Sequence, residues 1–384
     1  MTSARSFRPI PLTVGGIPDG QDIVGRDTFS AEVAAMLGAG QSILLTGDRR
    51  TGKTCVSRVV EAQLRDGGHR VIRVSAERAS FADFVDALSR ELEKELGLAS
   101  ELARWEFGLK AGPAEARRTV PPRVLDDLLS SAAAKGMEHR VVVIVDEVPV
   151  LARAMEHASP GSGAAVLDTL RRVRQEQGNG LSMLLLGSIG FHHVAKSSPG
   201  SLNDLTKQQV QGLSEADGCF LARCLMIGAS IDAADPASFA LAVYQAAEGI
   251  PYYIQHLVRD ARDHSRAHGT LTRDVPAELV DRALHHEDDP WNLRHYRDRV
   301  PEYYPGREEL AYAALDIYAG ATQPLDIDAA LRLLGATTLQ EQPTRRAFID
   351  LVELLEQDHY LAHHADADTF RSEIVRRAWI ATWR

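Results

Sequence analysis

The sequence predicts an α/β domain on a doubly wound parallel sheet, followed by a helical domain and a small domain of helices and a β-hairpin. Three observations lead there. Residues 140–145 (RVVVIV) and 182–186 (SMLLL) are apolar without alternation, the mark of strands buried on both faces of a parallel sheet. Shorter strand-type runs at 42–46 (SILLT) and 69–76 (HRVIRVSA) alternate with segments of helical period, as a βαβ succession requires. From Ser214 onward the pattern is helical, and near the end two short strands follow three helices.

Taken in order, residues 1–22 are rich in Pro and Gly and read as an N-terminal arm. A helix over 27–37 is closed by Gly38 and Gly40. Strand 42–46 runs directly into a glycine loop and a helix over 53–64. After strand 69–76, Ser80 with Asp83 three residues on starts a helix that reaches about Leu96. The stretch 97–122, with Trp105 and Phe107, reads as an insertion with partial helix. Helix 124–135, strand 140–145, helix 164–177 and strand 182–186 complete the α/β pattern. Helices over 215–227, 237–248, 252–264 and 277–285 form a lid-like segment. Beyond a linker at 286–305 come helices 307–319, 327–334 and 344–357, strands near 359–363 and 369–371, and a helix over 373–383. Three helices followed by a hairpin is the winged-helix pattern. The chain therefore divides into an arm (1–22), an α/β core (23–212), a helical lid (213–290), and a linker with a winged-helix domain (291–384).

The 384 residues carry a net charge of −10, which does not favour an unaided grip on nucleic acid. Cys55, Cys219 and Cys224 show neither disulfide nor metal spacing, as in a reducing compartment. No hydrophobic signal core and no apolar run of the roughly 20 residues that span a bilayer is present, so a cytoplasmic protein with no membrane partner is expected.

The chemistry concentrates in residues 47–54, GDRRTGKT, which match G-x-x-x-x-G-K-[S/T] between a strand and a helix. Glycines at Gly47 and Gly52 let the backbone wrap, so that the amides of Asp48, Arg49, Arg50, Thr51 and the residues through Cys55 converge on a phosphate at a helix N-terminus. Lys53, one of only six lysines against 43 basic residues, supplies the point charge for β- and γ-phosphates. The Thr54 hydroxyl ligates Mg²⁺. The second half of the site is Asp146-Glu147, at the C-terminal tip of a buried strand, where open α/β sheets bind ligands. Asp146 holds the Mg²⁺ shell through water, and Glu147 orients and deprotonates the attacking water. These residues predict an ATP/ADP-binding, Mg²⁺-dependent hydrolase.

A strand in sequence between the two motifs, and a glutamate beside the strand aspartate, resemble the additional-strand, catalytic-glutamate division of P-loop ATPases. Further motifs are similar to the archaeal-ATPase-like, initiator-related branch of AAA+ and STAND proteins. Residues 22–27 (DIVGRD) stand where that branch carries a hydrophobic-Gly-Arg motif; the resemblance implies that Ile23, Val24, Gly25 and Arg26 serve the nucleotide, with the apolar pair flanking adenine. Ser188, after the strand LLL, stands at the place of sensor 1. Residues 248–253 (EGIPYY) resemble the Gly-x-Pro motif of the lid, which implies that Pro251 packs on the base. Without the resemblance, the first segment is a turn before a helix, Ser188 a serine in a turn, and the last a helix stop and restart. Residues 289–304 (DPWNLRHYRDRVPEYY) and the closing TFRSEIVRRAWI extend the likeness to nearly the whole chain from about residue 20. Two departures stand out: no arginine occupies the usual sensor 2 place, and Arg171, Arg172 and Arg174, where rings often carry an arginine finger, read as a solvated basic face.

Residues 306–384 hold 8 Lys/Arg against 13 Asp/Glu, a net of −5, and the third helix of this segment ends in Glu356 and Asp358. A DNA-reading module needs the opposite balance. The expectation is therefore a slow ATPase that switches a separately encoded protein partner. The alternative is an ATPase that assembles on DNA, and a nucleotide-dependent oligomer fits either. The doublets His192-His193, His285-His286 and His363-His364 read as ordinary surface or core histidines, since neighbours on a helix diverge by about 100°.

Overall fold

The computed structural model describes residues 5–77, 80–98, 122–136, 140–187, 193, 200–337, 339 and 342–382. The chain forms two compact units, Ile17–Gln211 and a second one composed of Met1–Gly16 with Gly212–Arg384.

The first unit is a three-layer α/β/α sandwich. Its elements are α1 (Asp27–Gly38), β1 (Ile43–Thr46), α2 (Lys53–Asp66), β2 (Arg70–Ser75), α3 (Phe81–Leu96), α4 (Pro122–Lys135), β3 (Val141–Asp146), α5 (Val148–Ala158), α6 (Ser162–Glu176), β4 (Leu181–Leu186) and β5 (Thr206–Gln209). The strands pair in parallel in the order β2-β3-β4-β1-β5. Side-chain alternation sorts each strand between two cores. Ile43, Leu45, Val142, Ile144, Leu184 and Leu186 meet α1 and α2 on one face. Leu44, Val141, Val143, Val145, Met183 and Leu185 meet α3 to α6 on the other. That two-sided burial is why these strands read as unbroken apolar runs. The Ser80–Asp83 pair forms the expected capping box at α3, with hydrogen bonds in both directions.

Two elements were not legible. β5 (TKQQ) is an edge strand with alternating exposure and no apolar run. α5 starts directly after Glu147, with Pro149 in its first turn. The basic face expected on α6 also needs correction: Arg174 is buried and forms a forked ion pair with Asp204 at 2.8 Å. Ser188, His192 and nearly all of 97–122 lie outside the described residues.

The second unit holds α7 (Glu215–Gly228), α8 (Pro236–Ala246), α9 (Pro251–His268), α10 (Val275–Leu284), two single turns α11 (His295–Asp298) and α12 (Val300–Tyr303), α13 (Glu308–Gly320), α14 (Ile327–Leu334), α15 (Arg345–Gln357), the antiparallel hairpin β6 (Leu361–His364) and β7 (Ala367–Phe370), and α16 (Glu373–Thr382). Residues at the start of the chain pack on α7: the Ile10 amide donates to the Cys224 carbonyl at 3.1 Å, and Phe7 stacks on Phe220. The segment before α13 is a buried polar and aromatic knot. Trp291 is fully buried, packs on Tyr253 and donates to Asp260 at 3.0 Å. Arg299, also buried, lies between the Tyr296 and Tyr360 rings and donates to the Tyr360 hydroxyl at 2.7 Å. Tyr304 donates to buried Asp358 at 2.5 Å. No helix among the described residues is long and apolar enough to cross a membrane.

Candidate nucleotide site

β4 lies between β1 and β3, so the loop after β1 and the acidic pair after β3 are held two strand spacings apart, about 9.6 Å. The geometry of the loop depends on its glycines. Gly47 has φ +142°, and a Cβ there would lie 2.3 Å from the Val210 carbonyl oxygen at the end of the β5 edge. Gly52 has φ +94° and caps α2, whose first turn begins at Lys53. Arg50 takes a left-handed φ of 70°. The free amides of a helix N-terminus are thereby turned into the loop. The Thr51 hydroxyl closes it by donating to the Asp48 carbonyl at 2.8 Å.

Lys53 is buried, and its ammonium donates to the Gly47 and Asp48 carbonyls, each at 2.9 Å. Burial pushes its pKa down to about 8, against the opposing pull of Glu147 and Asp48; Arg49 adds to the depression. Across the site, the Thr54 hydroxyl donates to the Asp146 carboxylate at 3.3 Å. Burial raises the Asp146 pKa, opposed by Arg73, Thr54 and Lys53. A half-buried carboxylate paired with a hydroxyl fits a hard, oxygen-seeking divalent cation in donor chemistry. Glu147 sits in the left-handed region at φ 56° and ψ 43°, a conformation sparsely occupied by non-glycine residues and frequent at functional sites.

The segment 23–26 follows a 3₁₀ turn, Gly20–Asp22, that packs on α2. Ile23 and Val24 are half-buried, and Gly25 has φ 69°. Arg26 is buried and its guanidinium donates to the Thr51 carbonyl at 2.8 Å and to the Gln211 carbonyl at 2.7 Å. It thus ties the phosphate loop to the chain leaving β5. Its charge also opposes the burial that raises the Cys55 thiol pKa. Gly187, where β4 ends, donates to the Leu45 carbonyl at 3.4 Å, so the chain beyond β4 starts beside the loop strand.

Pro251 belongs to the second unit, in the first turn of α9. The two residues preceding Ile250 are both left-handed, Glu248 at φ 52° and Gly249 at φ 68°, and the Gly249 carbonyl accepts from the Leu213 amide at 2.7 Å. The Glu248 carboxylate accepts from the Ile374 amide at 2.6 Å and so caps α16. Burial raises its pKa, opposed by that hydrogen bond. Sequence reasoning missed this contact, and no local signal could reveal a cap 126 residues away from its helix.

Residues 37–195 match a family model described as an AAA domain. The chain carries an AAA-type ATPase domain. By class it is an ATP hydrolase. No curated protein matches the sequence. Solved structures are similar in fold over the whole length. The Walker-type ATPase PABY2304 of Pyrococcus abyssi is 16% identical with a TM-score of 0.62, covering 98% of this chain and 99% of that one. The Aeropyrum pernix ORC2 protein, solved in ADPNP–ADP complexes, is 12% identical with a TM-score of 0.55, covering 99% and 97%. The parallel sheet of the AAA domain, with β4 between the loop strand and the acidic strand, is the architecture expected for P-loop ATPases.

Proposed function

We propose that the chain is a nucleotide-controlled switch, a slow ATPase whose C-terminal winged-helix segment regulates a separately encoded protein partner. The observation that carries this reading is the Glu248 cap. One side of a two-residue left-handed turn leads into Pro251, the residue assigned to the base; the same turn holds the N-terminus of α16. A shift of the turn on exchange of ATP for ADP would alter a capping contact in the C-terminal segment, a local change with a remote output.

At the phosphates, Lys53 exchanges its loop carbonyls for β- and γ-oxygens, and the loop amides bind the β-phosphate. Thr54 and Asp146 would hold Mg²⁺, which when bound neutralises charge developing on the phosphates. Glu147, fixed by its turn at the strand tip, orients the attacking water and takes its proton. Arg26 positions the loop through the Thr51 carbonyl. Ile23 and Val24 flank adenine, and Ser188 polarises the γ-phosphate or the water.

The acidic C-terminal segment supports a protein partner over DNA. Assembly on DNA is the alternative, and an ATP-dependent, salt-sensitive mobility shift would favour it. Glu147→Gln is expected to bind ATP as the wild type does and to lose at least about 10²-fold in turnover. Wild-type turnover in that variant would remove Glu147 from the catalytic role. The switch itself is read by hydrogen exchange over 373–382 with ADP and with a non-hydrolysable ATP analogue; identical protection would refute it.

A further inference from the structure

Among the described residues, one group of histidine and carboxylate side chains converges tightly enough to hold a metal ion, and it lies outside the AAA domain. Glu356 near the end of α15, His363 on β6 and Asp368 on β7 each offer a ligand atom, all within 4.8 Å of one another. In the sequence alone, the His363-His364 doublet reads as a pair of ordinary histidines. The fold supplies the partners: His363 and Asp368 are directly paired across the hairpin, so their side chains share a face, and the last turn of α15 brings Glu356 to it.

The three positions differ in rigidity. Asp368 is buried, and its backbone is fixed by two hydrogen bonds to Leu325, at 2.9 and 3.0 Å. Glu356 is half-buried at a helix end, and His363 is half-exposed. His363 Nδ1 lies 2.7 Å from an Asp368 oxygen. Ligand atoms on a tetrahedral zinc stand about 3.4 Å apart at bond lengths near 2.1 Å. A small rotation of the exposed imidazole opens that gap.

Tyr318 on α13 is buried beside the cluster, with its hydroxyl turned toward Asp368.

We propose that Glu356, His363 and Asp368 bind a divalent transition cation, zinc or manganese, that staples α15 to the β6–β7 hairpin. One imidazole with two carboxylates suits these ions, and a solvent-facing position is left for water. Calcium, which takes six to eight oxygens, does not fit three ligands.

The test uses the full chain, nucleotide-free and stripped with EDTA, titrated calorimetrically with ZnCl₂, MnCl₂ and CaCl₂. One equivalent of zinc or manganese should bind, with calcium at least tenfold weaker. His363→Ala, an exposed change that leaves the fold intact, should weaken that binding at least tenfold and abolish the accompanying rise in melting temperature; Glu356→Gln should weaken it as well. The difference between wild type and His363→Ala isolates this site from other histidines. Equal binding by wild type and His363→Ala would overturn the proposal, as would no binding by wild type, which leaves the His363–Asp368 pair as a salt bridge.

Discussion

Replacing Gly47 by alanine tests the packing of the phosphate loop against the β5 edge, and Gly52→Ala is its matched control. Both positions have positive φ, +142° and +94°, so alanine is strained at each by about 1–3 kcal/mol. They differ in space. At Gly52 the new methyl meets only the Cys55 Cβ at 3.8 Å, an ordinary contact. At Gly47 it lands 2.3 Å from the Val210 carbonyl oxygen and 3.2 Å from that residue's carbon and nitrogen. Val210 is held by its amide to the Thr46 carbonyl at 2.8 Å, so relief requires β5 to part from β1. Such overpacking costs about 1–3 kcal/mol more. In a unit of this size, 1 kcal/mol moves the melting temperature by about 2–4 °C, so Gly47→Ala should melt about 2–12 °C below Gly52→Ala. Calorimetric unfolding of the full chain measures it, the AAA transition being identified by its shift with nucleotide. Equal melting temperatures would refute the close approach of β5 to the loop.

Three further outcomes are expected. Arg26→Ala removes two charged hydrogen bonds worth about 1.5–3 kcal/mol each and should weaken ATP binding at least tenfold by fluorescent-nucleotide titration, with Arg26→Lys failing to restore it because an ammonium lacks the planar fork. With the Lys53 pKa near 8 and only its charged form competent, nucleotide affinity falls as pH rises: about tenfold from pH 7 to pH 9, whereas a flat profile would show that the lysine stays charged. Glu248→Ala removes the acceptor of the Ile374 amide, while Ser372 still caps α16 through the Val375 amide, and should cost about 0.5–2 kcal/mol, seen as faster exchange of the Ile374 amide, with Glu248→Gln retaining part of the protection.

What the sequence revealed follows from where the physics is local. β1 to β4 were legible because two-sided burial leaves unbroken apolar runs, and the loop and acidic pair because glycine, lysine and carboxylate chemistry demands those residue types. β5 escaped because an edge strand of Thr, Lys and Gln has no hydrophobic face to announce it, although it is the strand that crowds Gly47. Arg26 was legible as a site residue, but its hold on Thr51 and Gln211 depends on the end of β5, 185 residues beyond it. Glu248 and the grouping of Glu356, His363 and Asp368 are products of tertiary pairing, and no short-range spacing encodes them.

The segment between α10 and α13 read as a linker, yet it supplies interior parts. Arg299 and Tyr304 are the partners of Tyr360 and Asp358, which lie past α15. Cutting the chain after Tyr304 would leave a buried carboxylate and a buried phenol without the groups that satisfy them. The C-terminal segment is therefore not portable: a fragment meant to stand alone must begin ahead of α9, which carries the Tyr253 and Asp260 that hold Trp291, and fusions or swaps that treat 291–304 as replaceable tether remove interior groups.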